Sequence, residues 1–542
     1  MAIHEDIQSR TTPEPRARIL VIDDEPAVRT QLREIFELHN YEVHAATGVG
    51  EVLAENARRA AQHIRPHVVI VDMRLDDDLL GADKRGIELL SALDSAAGVL
   101  YSAYMQVEDT RRISNRENTW WIHKRERTET LVDVVMRGME IRSAQRAGVT
   151  VEWYGLPPEE EILAAVLPEE GREKRALFPP KILDDIVWQL YAKQKPDHIL
   201  VRPLHVPADG VYAASRGNST VVLTRTAGRI PYIIKFTGPE QMAVERANYR
   251  DHVDGKYLGN FHTHLIETTR FWDLGGAMYS FVGADGVQAS FSERFVDPTV
   301  TADDLVRPLR HLFEVACALH YGAVVDNECE DLFTYYERVF ELQHKLTDSV
   351  RVNRMQGCLR VGAIDPGLFV LDELAAHCPP SYVEAVSHGD LHADNLFVDP
   401  DHAWLIDFGR TGKGHALRDF IELEVDIVTR LLLAGSLDDA HTADLAVALA
   451  RPVALTDPIT PPQAVLDDPL AAKAVTLITT LRTMAYACAP AKETIMQEYM
   501  VGALCNCVYV AALNRIQEAQ RRRAVCYATA IVERLRRTAS NA

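Results

Sequence analysis

The sequence predicts an α/β, doubly wound, five-stranded parallel sheet over residues 17–145, followed by a larger α+β, bilobal region that runs to residue 542. Two observations carry this. From Arg18 onward, strand-length apolar runs alternate five times with stretches of helical period, which is the pattern of a parallel sheet covered on both faces. Beyond residue 198 the alternation stops: β-rich segments come first, then helical periodicity from about 303 onward, broken only near 386–408.

Residues 1–16 are polar, contain Pro13 and Pro15, and are expected to form a flexible tail. In the first domain the strands are expected at 19–23, 43–45, 68–72, 99–103 and 120–123, and the helices at 26–38, 49–62, 84–94, 106–116 and 127–143. Pro157, Pro158, Pro168, Pro179 and Pro180, with an acid-rich patch among them, mark 146–197 as a linker with a helix at 181–193. A first lobe is expected over 198–300, with strands at 199–206, 211–214, 221–226, 232–236, 278–282 and 290–295. The second lobe, 301–542, is expected to be mostly helical.

The net charge of -20 argues against a general nucleic-acid binder, which needs a basic surface, and no direct nucleic acid partner is expected. The basic run Arg521–Arg523 reads as a solvated helix face. No signal peptide is recognisable, and the apolar stretch Tyr499–Leu513 is short and interrupted by Asn506, so a buried helix is expected and no membrane contact. Eight scattered cysteines suit reduced thiols in a cytoplasmic protein. His262 and His264 lack a third ligand nearby in sequence and are given a structural role.

In an open parallel sheet, chemistry gathers at the carboxyl ends of the strands. There the sequence places Asp23 and Asp24 after the first strand, Asp72 after the third, Ser102 at the fourth and Lys124 after the fifth. Three carboxylates on one rim repel one another unless a divalent cation sits among them, and hard oxygen ligands favour Mg²⁺. Asp72 is then the nucleophile that forms an aspartyl-phosphate, Lys124 neutralises it and the Ser102 hydroxyl bonds to it. This ordered set resembles the response-regulator receiver family, whose fold is flavodoxin-like. The resemblance implies that Asp24 and Asp72 ligate Mg²⁺ with the Arg74 carbonyl, that Asp23 holds a metal water, and that Trp121 is the aromatic switch. Two departures stand out: Arg125 replaces the usual proline after the lysine, and the loop after Asp72 is long and acidic, with Asp76, Asp77 and Asp78 ahead of Gly86.

A second constellation lies at Ser387-His388-Gly389-Asp390-Leu391-His392-Ala393-Asp394-Asn395, followed by a strand and Asp407-Phe408-Gly409. Phosphoryl transfer needs a carboxylate beside the acceptor hydroxyl, a role that suits Asp390, and metal ligands that bridge nucleotide phosphates, which suits Asn395 and Asp407. Upstream, Lys235 sits within the strand 232–236, and Glu245 lies on the helical stretch 240–252, suited to pair with it. The set resembles the protein-kinase-like superfamily, and His392 and the glycine after His388 resemble its aminoglycoside and choline phosphotransferase branch. The resemblance covers residues 198–535 and implies ATP and Mg²⁺ as cofactors, a hinge at Met278–Gly283 and a supporting acid at Asp419. The phosphate-covering loop would be 206–212, where Gly210 is the single glycine and Asp209 precedes it.

Together these resemblances imply a two-component response regulator, phosphorylated by an upstream histidine kinase, whose output domain transfers ATP phosphate to an unknown hydroxyl acceptor. The alternative is a phosphorelay adaptor whose kinase-like domain is inactive and binds a partner protein. Intact Lys235, Asp390, Asn395 and Asp407 favour the enzyme; the glycine-poor loop favours the adaptor. The helix at 127–143 suits a lever or a homodimer contact.

Overall fold

In a computed structural model of the chain, the described residues are 17–76, 83–104, 106–114, 116, 118–167, 175, 178–204, 219–257, 261–281, 289–322, 325–327, 330–347, 358, 364–489, 493–514 and 516–541. The chain divides into two compact units, Met1–Met242 with Leu265–Ser280, and Ala243–His264 with Phe281–Ala542.

The first unit opens with the alternation that the sequence predicts: β1 (Arg18–Ile22), α1 (Pro26–Leu38), β2 (Glu42–Ala45), α2 (Gly50–Ile64), β3 (Val68–Val71), α3 (Arg85–Ala92), β4 (Ala97–Ser102), α4 (Val107–Ser114), β5 (Thr119–His123) and α5 (Thr128–Arg142). All neighbouring strands pair in parallel in the order β2-β1-β3-β4-β5. Both faces of β1 and β3 are buried, which is why they read as unbroken apolar runs. Leu20, Ile22, Val69 and Val71 pack on one face of the sheet; Ile19, Val21, Val68 and Ile70 pack on the other. The order reverses between β1 and β3, so the residues that follow those two strands flank a topological switch point.

Residues 146–197 differ from the expected linker. β6 (Thr150–Trp153), α6 (Glu159–Val166) and α7 (Ile182–Tyr191) are built into the next layer. Nine of the ten residues of α7 are buried apart from Asp184, because its apolar side chains form the core under the second sheet. That sheet runs β10-β11-β9-β8-β7-β6, with β7 (His198–Pro203), β8 (Ser219–Arg225), β9 (Tyr232–Thr237), β10 (Leu265–Phe271) and β11 (Leu274–Ser280). Between β9 and β10 lies helix α8 (Pro239–Asn248). β10 was not anticipated: its polar and apolar residues are mostly half-buried and give weak periodicity. The expected strand at 211–214 lies outside the described residues.

The second unit contains two small sheets, β12 (Ala289–Ser290) with β15 and β16, and β13 (Val325–Asn327) with β14 and β17. Here β14 is Tyr382–Ser387, β15 Leu396–Val398, β16 Ala403–Leu405 and β17 Gly412–His415. Residues 290–295 were expected to be a strand, yet helix α9 (Phe291–Val296) begins there. Ser290 and Glu293 form a reciprocal capping box that starts the helix. The helical remainder includes α10 (Arg418–Thr429), α11 (Pro469–Cys488), α12 (Ile495–Ala512) and α13 (Glu518–Asn541). Helix α12 is long and apolar enough to cross a membrane, but 89% of it is buried inside the fold, as expected for a core helix.

Candidate functional site

Asp23 and Asp24 follow β1 and Asp72 follows β3, so the switch point brings all three together: their ligand atoms lie within 4.8 Å of one another. Asp23 and Asp72 are buried. Lys124, just past β5, reaches over the sheet rim, with Nζ 2.6 Å from Asp72 Oδ2 and 2.9 Å from Asp23 Oδ2. Burial raises the pKa of Asp23 to about 6; Asp72 adds to the rise, while Lys124 and the Glu25 N–H oppose it. Burial works against the charge of Lys124, but Asp23 and Asp72 outweigh it and hold its pKa above the ordinary lysine value.

Asp72 Oδ1 is buried without a hydrogen-bond partner, an unusual state for a polar atom. An orphan oxygen beside two more carboxylates suits a hard divalent cation, so the residues present fit Mg²⁺. Ser102 is buried at the end of β4, and its Oγ lies 3.4 Å from the Tyr104 N–H. Trp121 is 40% exposed, its ring edge-on to His123 at 6.4 Å. Gly86, at the start of α3, is required sterically: a Cβ there would lie 1.8 Å from the Asp72 carbonyl oxygen.

The second constellation is held by an acid ladder on α10. The Asp419 carboxylate accepts the N–H groups of His388 at 2.7 Å and Gly389 at 2.8 Å. One turn on, Glu422 accepts the Leu391 N–H at 2.8 Å, and Asp426 accepts the Ala393 N–H at 3.0 Å. Arg418 bonds the Gly389 carbonyl and, at 2.8 Å, Glu422. Gly389 adopts φ +76°, and a Cβ would meet the Arg410 carbonyl at 2.4 Å, so the close approach of the two loop segments excludes other residues.

This framework aims the predicted side chains. Asn395 Nδ2 donates to the Asp390 carbonyl at 2.9 Å, which ties the two ends of the loop together. The Asp390 carboxylate is 37% exposed and lies 3.6 Å from Arg410 Nη1. Burial disfavours its charge, but Arg410, His392, His388 and Arg418 prevail and hold its pKa well below the usual carboxylate range. Asp407 has φ +66°, a strained backbone for a non-glycine residue; its Oδ1 accepts the Gly409 N–H at 3.3 Å. Phe408 is fully buried, 5.4 Å from the His388 ring and 5.7 Å from Tyr249.

Lys235 is buried on β9, opposite Ala277 of β11, in the first unit. Glu245 is buried on α8, in the second. Gly210 and the rest of 206–212 lie outside the described residues, as do residues 282 and 283 of the expected hinge. The rings of His262 and His264 lie 4.5 Å apart, tilted by 58°; burial and the neighbouring histidines lower the pKa of His262 to about 4. Glu422, Asp426, Arg410 and Arg418 were missed in the sequence. The spacing of Asp419, Glu422 and Asp426 at i, i+3 and i+7 was the available signal, since it puts three acids on one helix face.

Residues 19–136 match the response regulator receiver domain, and residues 341–505 match Ternary complex associated domain 9. A comparison with curated proteins gives no match. Among solved structures, the chain is similar to a CheY-like response regulator receiver domain protein from Methanospirillum hungatei JF-1, at 19% identity and TM-score 0.20, over 23% of this chain and 95% of that one. It is similar to the amicoumacin kinase hAmiN at 12% identity and TM-score 0.37, over 68% of this chain and 96% of that one. It is also similar to a choline/ethanolamine kinase family protein from Mesorhizobium loti at 12% identity and TM-score 0.32, over 58% and 89%. The receiver match spans the N-terminal five-stranded sheet.

Proposed function

We propose that the chain is a response regulator in which Asp72 accepts a phosphoryl group from a histidine kinase and thereby governs a kinase-like domain that transfers ATP phosphate to a hydroxyl acceptor. The observation that carries the receiver half is the orphan, buried Oδ1 of Asp72 beside Asp23, Asp24 and the Lys124 ammonium. In this reading an Asp72 oxygen attacks the phosphorus of the kinase's phosphohistidine, the P–N bond breaks and the histidine leaves, Lys124 exchanges its pairing with Asp72 for the new phosphate, and the Ser102 hydroxyl donates a hydrogen bond to it. Asp23, Asp24 and Asp72 would hold Mg²⁺, whose charge draws in the phosphoryl oxygens.

For the output half, Asp390 orients the acceptor hydroxyl. Its depressed pKa keeps it ionised, and the acid ladder under its loop keeps it in place. Lys235 would pair with the nucleotide phosphates, while Asn395 and Asp407 would hold the metal that neutralises them. Asp72→Asn should abolish acid-labile labelling by a small phosphodonor such as acetyl phosphate. Undiminished labelling would mean that another residue is the acceptor.

A second reading, an adaptor that recruits partners, draws on the description of the domain matched over 341–505 as ternary complex associated and on the single glycine, Gly210, in the phosphate-covering loop. Nucleotide binding by the full chain separates the two, since the enzyme must bind ATP and an inert scaffold need not.

A further inference from the structure

Three strands of the receiver sheet join its two ends. β1 leads from Arg18 to Asp23, β3 follows His67 and leads to Asp72, and β4 follows the Asp94–Ala96 turn and ends at Ser102. The end opposite Asp72 is not free: it holds the β10–β11 hairpin of the second sheet.

Arg65 is only 2% exposed. It pairs with Asp273 at the hairpin tip at 2.5 Å, and its guanidinium lies 4.2 Å over the Phe178 ring. His67 accepts the Arg18 N–H on Nδ1 at 3.2 Å, which turns Nε2 toward Asp185 of α7 at 3.7 Å and sets the ring 5.4 Å from Phe271. Arg142, at the end of α5, spans the joint: it donates to Gln189 Oε1 at 2.7 Å, to the Arg270 carbonyl at 3.3 Å and to the Asp94 carbonyl at 3.5 Å. Asp94 also pairs with Arg270. Trp272 packs against both the receiver core and the core of the second sheet. From this tip β11 runs on to Ser280, and its Ala277 lies opposite Lys235.

We propose that the base of the receiver is the docking surface for the β10–β11 hairpin, and that this joint carries the phosphorylation state of Asp72 to the strand of Lys235. The inference rests on reading Asp72 as the acceptor. A flexible tether would average out a small shift at the sheet rim. The buried Arg65 and Arg142 guanidinium groups with their directional hydrogen bonds do not, because breaking one strands a buried charge. The coupling is reciprocal, so a ligand that engages Lys235 must alter the receiver's affinity for a phosphoryl mimic by the same factor.

The test is amide hydrogen exchange of the full chain with Mg²⁺, with and without beryllofluoride. Exchange in peptides covering 265–280 should change about five-fold or more. That change should be lost in Asp273→Ala and in Arg142→Ala while peptides around Asp72 and Lys124 still respond. If Asp273→Ala does not fold, Asp273→Asn takes its place. A response around Asp72 that never reaches 265–280 in the wild type, or that reaches it undiminished in both variants, overturns the proposal and leaves the receiver reading intact. No response anywhere overturns the reading of Asp72 and the proposal with it.

Discussion

Gly86 shows how a single missing side chain can hold a site together. The start of α3 passes so close to the Asp72 carbonyl that a methyl group would overlap it at 1.8 Å. Gly86→Ala should therefore cost about 1–3 kcal/mol or more, read as a lowered denaturant midpoint with unchanged slope. Asp23 makes a different prediction. Burial raises its folded pKa from 3.8 to about 6, so between those values the folded state binds more protons than the unfolded chain. Its contribution to stability is thus greatest at the acid end of that window and declines as pH rises through about 6. In metal-free protein, raising the pH from about 5 to about 7 should favour Asp23→Asn relative to wild type; equal pH profiles would contradict the raised pKa.

Helix α10 shows why part of the site escaped sequence reasoning. Asp390, Asn395 and Asp407 stand out in the sequence because their residue types suit phosphoryl transfer, and the first sheet was legible because alternation over five units is a long signal. The acids beneath the loop carry no chemical signature: Asp419, Glu422 and Asp426 bond backbone amides whose positions only the fold reveals. The same holds for 146–197, where prolines suggested a linker although α7 supplies core, and for 290–295, where the Ser290–Glu293 cap overrode strand-like composition. Removing the Asp419 acceptors with Asp419→Ala should cost about 3 kcal/mol or more, because three donors, from His388, Gly389 and Tyr321, lose a charged partner. Deeper in the bundle, Arg482 and Glu424 are fully buried and doubly bonded at 2.7 and 2.9 Å, with Tyr499 and Tyr527 completing the carboxylate's shell. Arg482→Met alone should destabilise by about 3–5 kcal/mol through the stranded Glu424 charge. The double variant with Glu424→Gln should recover part of that loss in the same unfolding experiment.

At the scale of the whole molecule, the receiver sheet and the second sheet share one compact unit, and the described residues of 146–197 are built into it. The receiver base, α7 and the β10–β11 hairpin belong to one compact unit, and the loop that carries Asp390 belongs to the other. The central claim is that the state of Asp72 governs phosphoryl transfer at Asp390. The most direct test is ATP turnover by the full chain with Mg²⁺, before and after beryllofluoride, with Asp390→Asn as the control. Turnover should change with beryllofluoride and fall by at least about 100-fold in Asp390→Asn, the loss typical of removing a positioned catalytic group. Turnover that ignores Asp390→Asn, or that beryllofluoride leaves unchanged in protein shown to bind it, would contradict that claim.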